Sequence, residues 1–264
     1  MTANQNRTQG GAGAMGSIDI PVSQASLFLD LDGTLAPIAA TPTEVGPDPE
    51  RSALLRRAAD ALDGRLAIIS GRTLEEVDRI VEACLSCVAG VHGLQRRNSV
   101  GQVSSAEPHP ALEAAEAAFT AAARTRGGLL VEPKILSLAL HYRAEPEAAG
   151  AVRELAGRLA RNTGLELQEG DMVVELKTPG ADKGDAVTAF MAEAPFRHST
   201  PIFMGDDLTD EAGFKAVAEL GGVGVLVGPP RRTQAAVRLR DPAEALAWIA
   251  DSLEAGRFVL EARR

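Results

Sequence analysis

Two aspartates one residue apart, Asp30 and Asp32, end an apolar run that begins at Ser26. Side chains alternate between faces along a strand, so we expect both carboxylates on the same side at the tip of a strand. Gly33 follows them and can adopt the backbone angles of a tight turn. Paired carboxylates beside such a turn favour chemistry over packing, although a strand that simply ends in an Asx turn is the plainer interpretation.

Two later apolar runs also end in polar residues. Residues 66–69 are followed by Ser70, Gly71 and Arg72, and residues 201–204 are followed by the acidic segment 205–211, GDDLTDE. In open parallel sheets, ligands bind beyond the carboxyl ends of the strands. We therefore expect the three polar clusters to meet in one crevice.

The acidic segment adds Asp206, Asp207 and Asp210 to the first two carboxylates. Two carboxylates about 4 Å apart repel by about 4 kcal/mol at an effective dielectric constant near 20, so a cation must offset the charge. Carboxylate oxygens without clustered histidine or cysteine suit Mg²⁺. Asp206 and Asp210, four residues apart, suit metal ligation better than Asp207 does. A helix N-cap with acids in its first turn is the alternative, and it accounts for one of the three.

With Mg²⁺ and a phosphoryl group in the crevice, the residues acquire expected roles. Asp30, at the strand tip, is the better placed nucleophile, and Asp32 can protonate a leaving sugar oxygen and then activate a water molecule. Lys183 opens a predicted helix, where its own charge and the helix N-terminus both suit an anion, although Asp-Lys-Gly alone would indicate a surface lysine. The other candidates for holding phosphate oxygens are Thr34, Ser70 and the backbone amides near Gly33 and Gly71.

The elements that must position these residues alternate between strand and helix. Strands are predicted at 26–29, 66–69, 88–93, 201–204 and 222–228, and helices at 49–62, 73–82 and 182–193 and from Asp241-Pro242 onward. Thr73 and Glu76 have the spacing of a capping box. Strands that alternate with helices predict βαβ units and a parallel sheet.

The pattern changes between residues 107 and 177. Helical stretches are predicted at 110–124 and 146–162, an alternating strand region at 129–143 and a strand at 172–177. The alternation indicates antiparallel sheet, with Leu136, Leu138 and Leu140 on a buried face and Ser137, Ala139 and His141 on an accessible one. We predict that residues 108–178 form a smaller α+β cap, inserted into a core of residues 19–107 and 179–264, with residues 1–18 as a disordered arm.

Composition excludes several classes of partner. The net charge of −9 over 264 residues argues against binding to nucleic acid or anionic membranes. No stretch approaches the roughly 20 apolar residues of a membrane span, and the N-terminus lacks the apolar region of a secretory signal, so we expect a cytoplasmic protein with a small-molecule substrate. Cys84 and Cys87 form a lone C-x-x-C in a predicted helix, and they are expected to be small apolar residues rather than a zinc site.

Four of these motifs, in order, resemble those of the haloacid dehalogenase-like (HAD) phosphatases: DLDGTL from Asp30, SGR from Ser70, DKG from Asp182 and GDDLTDE from Gly205. Segments of both core and cap are similar to the trehalose-6-phosphate phosphatases, and they begin at Val91 (VHGL), Val131 (VEPK), Leu138 (LALHYR), Val173 (VVELK) and Gly222 (GVGVLVG). The resemblance runs from about residue 27 to 239. It implies a HAD-like Rossmannoid core with a parallel sheet, together with the inserted cap.

The resemblance also implies the function and its residues. Asp30 would be the nucleophile and Asp32 the acid and base, with Mg²⁺ on Asp30, the Asp32 carbonyl and Asp206. The cap residues Glu132, Lys134 and Glu175 would bind the sugar hydroxyls, with Arg143 and His92 as weaker candidates. The implied reaction is hydrolysis of trehalose 6-phosphate to trehalose and phosphate through an aspartyl-phosphate, by a monomer coupled to a trehalose-phosphate synthase.

Two alternatives stay open at this point. The four core motifs do not determine which sugar is bound, so the substrate could be sucrose phosphate or a glucosyl- or mannosylglycerate phosphate. A catalytically silent partner that senses the sugar phosphate for a synthase is the alternative outside the enzymes. The presence of every acid that the chemistry needs argues against it.

Overall fold

A computed structural model describes residues 18–39, 44–170 and 172–260 of the chain. The predicted N-terminal arm therefore lies outside the described residues, except that Ile18 already belongs to the first strand. The strands are β1 (Ile18–Pro21), β2 (Ala25–Leu29), β3 (Leu66–Ile69), β4 (Cys87–Gly90), β5 (Gln95–Arg97), β6 (Val103–Ser105), β7 (Leu130–Pro133), β8 (Ser137–His141), β9 (Glu166–Gly170), β10 (Val173–Lys177), β11 (Thr200–Gly205), β12 (Val223–Val227), β13 (Val237–Leu239) and β14 (Arg257–Leu260). The helices are α1 (Pro49–Ala61), α2 (Leu74–Ile80), α3 (Leu112–Thr125), α4 (Ala149–Thr163), α5 (Lys183–Met191), α6 (Glu211–Glu219) and α7 (Pro242–Ala255).

The central sheet has the order β13-β12-β11-β2-β3-β4-β5-β6 among the described residues. The strands from β13 to β4 are parallel, and β5 and β6 continue the sheet as an antiparallel hairpin. Strand β2 lies in the middle, between β3 and β11, and all five of its residues are buried. The sheet is covered on both faces because two apolar clusters pack against it, one of which contains Phe28, Phe190 and Phe203. The predicted parallel-sheet α/β core is confirmed.

Two local predictions in the core were wrong. Strand β4 ends at Gly90, and residues 91–93 form a 3-10 turn in which Val91 and His92 have positive φ angles of 47° and 57°. Cys84 and Cys87 do not lie in a helix, since α2 ends at Ile80 and Cys87 begins β4. Both are free thiols, and burial raises the pKa of Cys87 to about 11.

A second, antiparallel sheet of order β7-β8-β10-β9 carries α3 and α4 on one face. Its core contains Phe119, Tyr142 and Leu140, all fully buried. The predicted accessible face of β8 was wrong for Ser137 and Ala139, which are 1% and 2% exposed. Ala139 is the cross-strand neighbour of both Glu132 and Glu175, so longer side chains on the same face cover it. We call residues 112–177 the cap.

Two links join the core and the cap, residues 106–111 and 178–182. They lie side by side, because the backbone N–H of His109 donates to the Thr178 hydroxyl at 3.1 Å. Strands β1 and β14 pair as a two-stranded ribbon that brings the beginning and the end of the described chain together. Within the described residues, no helix has both the length and the apolar composition needed to cross a membrane.

Candidate active site

The tip of β2 places Asp30 and Asp32 at the carboxyl edge of the central sheet. Asp30 continues the pairing with β11, since its N–H donates to the Met204 carbonyl at 2.9 Å. Gly33 has a φ of +81°, and a Cβ there would lie 2.0 Å from Asp206 Oδ2. Only glycine fits this turn, because any side chain would collide with the Asp206 carboxylate and strain the backbone.

Lys183 is the cation at the centre of the cluster. Its Nζ donates to Asp30 Oδ1 at 2.7 Å and to Asp210 Oδ1 at 2.6 Å, and its side chain is 3% exposed. The residue occupies the first position of α5, whose N-cap Asp182 accepts the N–H groups of Gly184 and Asp185. The sequence prediction thus placed Lys183 at a helix start as observed, and the structure brings it to Asp30 across 153 residues of chain.

The three carboxylates Asp30, Asp206 and Asp210 have oxygens within 4.8 Å of one another. Burial raises the pKa of Asp30 well above its ordinary value, although Lys183 opposes the shift. Burial and the neighbouring Asp210 raise the pKa of Asp206 to about 7. Burial alone would lower the pKa of Lys183, but Asp210 and Asp30 raise it further, so the lysine stays charged. The cluster therefore holds more negative charge than Lys183 neutralises, which is the electrostatic condition for a divalent cation.

The acidic segment after β11 divides its carboxylates between structure and site. Asp207 caps the following turn by accepting the Leu208 N–H at 2.7 Å. Asp210 is fully buried, and its Oδ2 accepts the N–H groups of Asp206 and Asp207, both at 2.9 Å. Asp206 is the remaining acid, and its carboxylate lies against Gly33 beside Asp30. This arrangement favours Asp206 over Asp210 as the metal ligand, because both carboxylate oxygens of Asp210 already accept hydrogen bonds from the protein.

Asp32 points to a different partner. Its carboxylate forms two parallel hydrogen bonds with the Arg72 guanidinium, from Nε at 2.6 Å and from Nη2 at 2.7 Å. Bidentate pairing of this kind fixes orientation as well as charge. Ser70 is buried beside it and accepts the Arg72 N–H at 3.3 Å, and the Thr34 hydroxyl lies 3.4 Å from Asp30 Oδ2.

A cleft of about 290 Å³ lies between the core and the cap. The core lines it with Asp32, Gly71, Arg72 and His92, among others, and the cap lines it with Glu132, Lys134, His141, Arg143 and Glu175. All five predicted sugar-site residues thus face one cleft together with Asp32. Their assignment to the sugar stays a prediction.

The cap side of the cleft is a network of charged and polar groups. Lys134 Nζ lies 3.6 Å from Glu175 Oε1 and 4.0 Å from Glu132 Oε2. His141 Nε2 donates to Glu132 Oε2 at 2.9 Å, and this hydrogen bond holds the pKa of Glu132 below its ordinary value. Ser137 donates to Glu175 through its hydroxyl. The network holds fixed hydrogen-bonding groups toward the cleft, which suits a polyhydroxylated ligand.

His92 reaches the cap from the core. The Gln168 side chain of β9 lies 3.3 Å from its Nε2, while its Nδ1 is buried and has no hydrogen-bond partner among the described residues. Burial, helped by Lys183 and Lys177, holds the pKa of His92 well below its ordinary value. The ring packs on Gly71, where a Cβ would lie 2.7 Å from two ring atoms. His92 is therefore a neutral imidazole at the seam between core and cap.

The sequence places Arg72 in the expected crevice without a role, and it does not identify His141 and Gln168 as functional candidates. Arg72 was visible in the Ser-Gly-Arg motif, but nothing in the sequence pairs it with Asp32, 40 residues away. In the sequence, His141 is distinguished only by its place in the alternating strand. Gln168 lies in an edge strand whose apolar alternation is short, with Leu165 and Leu167 on the core side.

Comparison with known families matches residues 28–243 to the trehalose-phosphatase family. A probable trehalose-phosphate phosphatase of Sinorhizobium fredii is 37% identical over 230 residues, which cover 86% of this chain and 87% of that protein. The trehalose-6-phosphate phosphatase of Escherichia coli is 40% identical over 225 residues, which cover 84% of each.

Solved structures support the same fold. A trehalose-6-phosphate phosphatase related protein superposes with a TM-score of 0.69 at 27% identity and covers 87% of this chain and 97% of that one. A haloacid dehalogenase-like hydrolase from Bacteroides thetaiotaomicron superposes with a TM-score of 0.64 at 15% identity, covering 88% and 98%. The second similarity concerns the fold alone, and it confirms the predicted HAD-like architecture.

Proposed function

The chain belongs to the trehalose-phosphatase family, and we propose that it hydrolyses trehalose 6-phosphate to trehalose and inorganic phosphate with Asp30 as nucleophile. The observation that carries the proposal is that Asp30, Lys183 and Asp206 share one cluster, while Asp32 lines the same cleft as Glu132, Lys134 and Glu175. The core side of the cleft thus carries groups for phosphoryl transfer, and the cap side carries groups that can form hydrogen bonds to a sugar.

The first step transfers the phosphoryl group to Asp30. A carboxylate oxygen of Asp30 attacks phosphorus and forms a new P–O bond, while the P–O bond to C6 of the sugar breaks. Asp32 gives its proton to the leaving sugar oxygen, so trehalose leaves as a neutral alcohol. Lys183 holds Asp30 Oδ1 and thereby orients the carboxylate for attack.

The second step releases phosphate. Asp32, now ionised, takes a proton from a water molecule whose oxygen attacks phosphorus, and the bond between phosphorus and Asp30 breaks. Asp30 is a carboxylate again, and Asp32 is protonated again. In the structure Arg72 binds both oxygens of Asp32, so one of these hydrogen bonds must break whenever Asp32 carries the proton.

The acidic cluster fits a magnesium ion, because three carboxylates surround one lysine and the pKa of Asp206 is raised to about 7 by burial and by Asp210. Asp30, Asp206 and the backbone carbonyl of Asp32 would hold it. When bound, the ion would reduce the repulsion between the Asp30 carboxylate and the phosphate dianion. The Thr34 and Ser70 hydroxyls and the Gly71 amide are the proposed partners of the remaining phosphate oxygens.

The function is tested by phosphate release in the presence of Mg²⁺ from trehalose 6-phosphate, sucrose phosphate, mannosylglycerate phosphate and glucose 6-phosphate. We expect kcat/KM for trehalose 6-phosphate to exceed that for the monosaccharide phosphate by about a hundredfold or more, because the monosaccharide cannot form the hydrogen bonds that the cap groups would make to the second sugar unit. Glu132→Gln should shrink this ratio mainly through KM for the disaccharide.

Comparable rates on glucose 6-phosphate would defeat the disaccharide assignment, and a preference for sucrose phosphate or a glycerate-linked phosphate would support the alternative enzymes. The two curated relatives above are both named as trehalose-phosphate phosphatases, which favours the first outcome. If a folded sample released no phosphate from any of these compounds in the presence of Mg²⁺, the result would support the alternative of a catalytically silent partner that senses the sugar phosphate. A cytoplasmic location, a monomeric state and coupling to a synthase stay predictions from the sequence.

A further inference from the structure

Arg231 lies in the loop that follows β12, outside every motif identified in the sequence. Its Nη2 donates to the backbone carbonyl of Asp207 at 2.7 Å and approaches that of Asp206 at 3.4 Å. The guanidinium therefore binds the backbone of the segment that carries the candidate metal ligand Asp206. Hydrogen bonds from a charged donor are about twice as strong as those between neutral groups.

Glu211, the first residue of α6, anchors Arg231 in this position. Arg231 Nη1 forms an ion pair with Glu211 Oε1, and the Gln234 N–H donates to Glu211 Oε2 at 2.8 Å. Burial would raise the pKa of Glu211, but hydrogen bonds from Gln234, Thr233 and Arg231 lower it below its ordinary value. Glu211 thus links the loop of residues 229–234 to the segment 206–210.

Burial of the Arg231 side chain carries a free-energy cost. Arg231 Nε is buried and has no hydrogen-bond partner among the described residues, and a buried unpaired donor destabilises the fold. Pro229 and Pro230 precede the arginine, and their fixed φ angles reduce the freedom that the loop loses on folding. The chain presents a guanidinium on a stiff loop to two carbonyls of the acidic segment.

The Asp206 backbone is consequently held on both sides. Its N–H donates to Asp210 Oδ2 at 2.9 Å, and its carbonyl faces Arg231. Between these two contacts, the Asp206 carboxylate is directed against Gly33 and toward Asp30. Loss of either contact would leave the Asp206 backbone free to shift, and its carboxylate would shift with it relative to Asp30.

We propose that Arg231 is a positioning residue of the divalent-metal site, which fixes the Asp206 carboxylate beside Asp30 and so sets the affinity for Mg²⁺. The proposal rests on the proposed role of Asp206 as a metal ligand. Groups that orient metal ligands typically change metal affinity by about 10- to 100-fold when they are replaced.

The test measures Mg²⁺ binding to the metal-free full chain by titration calorimetry, without substrate. Arg231→Gln should raise the Kd for Mg²⁺ by about tenfold. Arg232→Gln is the matched control, because it removes the same charge from the exposed neighbouring residue, and it should change the Kd by less than about twofold. At saturating Mg²⁺, Arg231→Gln should recover most of the wild-type kcat, which separates lost metal affinity from lost chemistry.

Glu211→Gln provides a second variant that keeps the charge of Arg231 but weakens its anchor, and we expect it to raise the Kd by a smaller factor. It also replaces Arg231→Gln as the test if that variant does not fold. The proposal is overturned if the two arginine variants have the same Kd, or if Glu211→Gln binds Mg²⁺ like the wild type. Failure of the wild type to hydrolyse trehalose 6-phosphate, with this order of Mg²⁺ affinities intact, would instead remove the proposed function.

Discussion

Asp30 is a carboxylate that the fold buries to 4% exposure beside one cation and two further acids. Burial raises its pKa, so the site holds an anion that water does not stabilise. A group of this kind gains most when it binds a cation or forms a bond to an electrophile. The same burial that makes Asp30 costly to ionise therefore suits it to attack phosphorus.

Asp30→Asn should lower the rate of phosphate release by more than about a thousandfold, because an amide cannot act as the nucleophile. The protein should remain folded, since the amide has nearly the same shape and Lys183 keeps its ion pair with Asp210. Phosphate release and the melting temperature, measured on one sample, check both statements. Near-normal turnover would remove the nucleophile assignment.

His92 should make the fold sensitive to acid. Its pKa in the folded protein is held well below the ordinary value, mainly by burial, so below about pH 6.5 the unfolded chain binds a proton that the folded protein does not. The contribution of His92 to the free energy of unfolding is therefore fully present above about pH 6.5. Below that pH it falls by about 1.4 kcal/mol per pH unit, until the pKa of His92 in the folded protein is reached.

His92→Asn removes this component, so the difference in unfolding free energy between wild type and variant should shrink by about 1 kcal/mol from pH 7.5 to pH 5.5. Urea unfolding at the two pH values measures it. His198→Asn, at an exposed position with a φ of +70°, is the control and should leave the difference between the two pH values as in the wild type. The same gap at both pH values for His92→Asn would contradict the argument.

At the scale of the element, the first turn of α5 decides where Lys183 lies. Asp182 caps the helix and forms a reciprocal capping box with Asp185. Asp182→Ala should destabilise the protein by about 1 kcal/mol and lower kcat by roughly tenfold or more, because the first turn of α5 would position Lys183 less precisely beside Asp30.

Asp48→Ala is the matched control. Asp48 caps α1 by accepting hydrogen bonds from two backbone N–H groups. Its replacement should therefore lower the free energy of unfolding about as much as Asp182→Ala does, while kcat stays unchanged. Melting temperature and kcat, measured for both variants, separate the two effects. Equal kcat values would show that the cap of α5 serves stability alone.

The elements that the sequence predicted well are those with apolar runs or caps. The run before Asp30, the Thr73 and Glu76 capping box and the Asp182 helix start are all present. The hairpin β5-β6 was missed because residues such as Gln95, Arg96 and Ser104 carry no apolar alternation, and it forms through backbone pairing with its neighbours. Strand β9 was missed because its apolar alternation consists of Leu165 and Leu167 alone. Long-range pairs such as Arg72 with Asp32 also leave no local pattern, so the sequence predicted the acids and Lys183 but not the pairing that orients Asp32.

At the scale of the whole molecule, the ribbon of β1 and β14 closes the core. Phe258 in β14 is fully buried and contacts the Trp248 ring with centroids 5.3 Å apart. Phe258→Ala should destabilise the protein by about 3–5 kcal/mol, while the folded fraction keeps the wild-type kcat because Phe258 packs against Trp248 in the apolar core and makes none of the contacts described for the site.

Val259→Ala is the control, because the Val259 side chain is 49% exposed. This substitution should lower the free energy of unfolding by about 0.5 kcal/mol or less. Its carbonyl still accepts the Trp248 Nε1–H. Trp248 is the one tryptophan of the chain, so its fluorescence during urea unfolding reports both variants. Equal stabilities would show that the ribbon contributes little to the core.

The two links between core and cap touch at His109 and Thr178, and this adjacency has an evolutionary consequence. A segment whose ends meet can be exchanged in a single recombination event without rethreading the remaining chain. Descendants of such an event would inherit the phosphorus-attacking machinery unaltered and acquire a new preference for the alcohol. Diversification of substrates would then require no reinvention of the reaction.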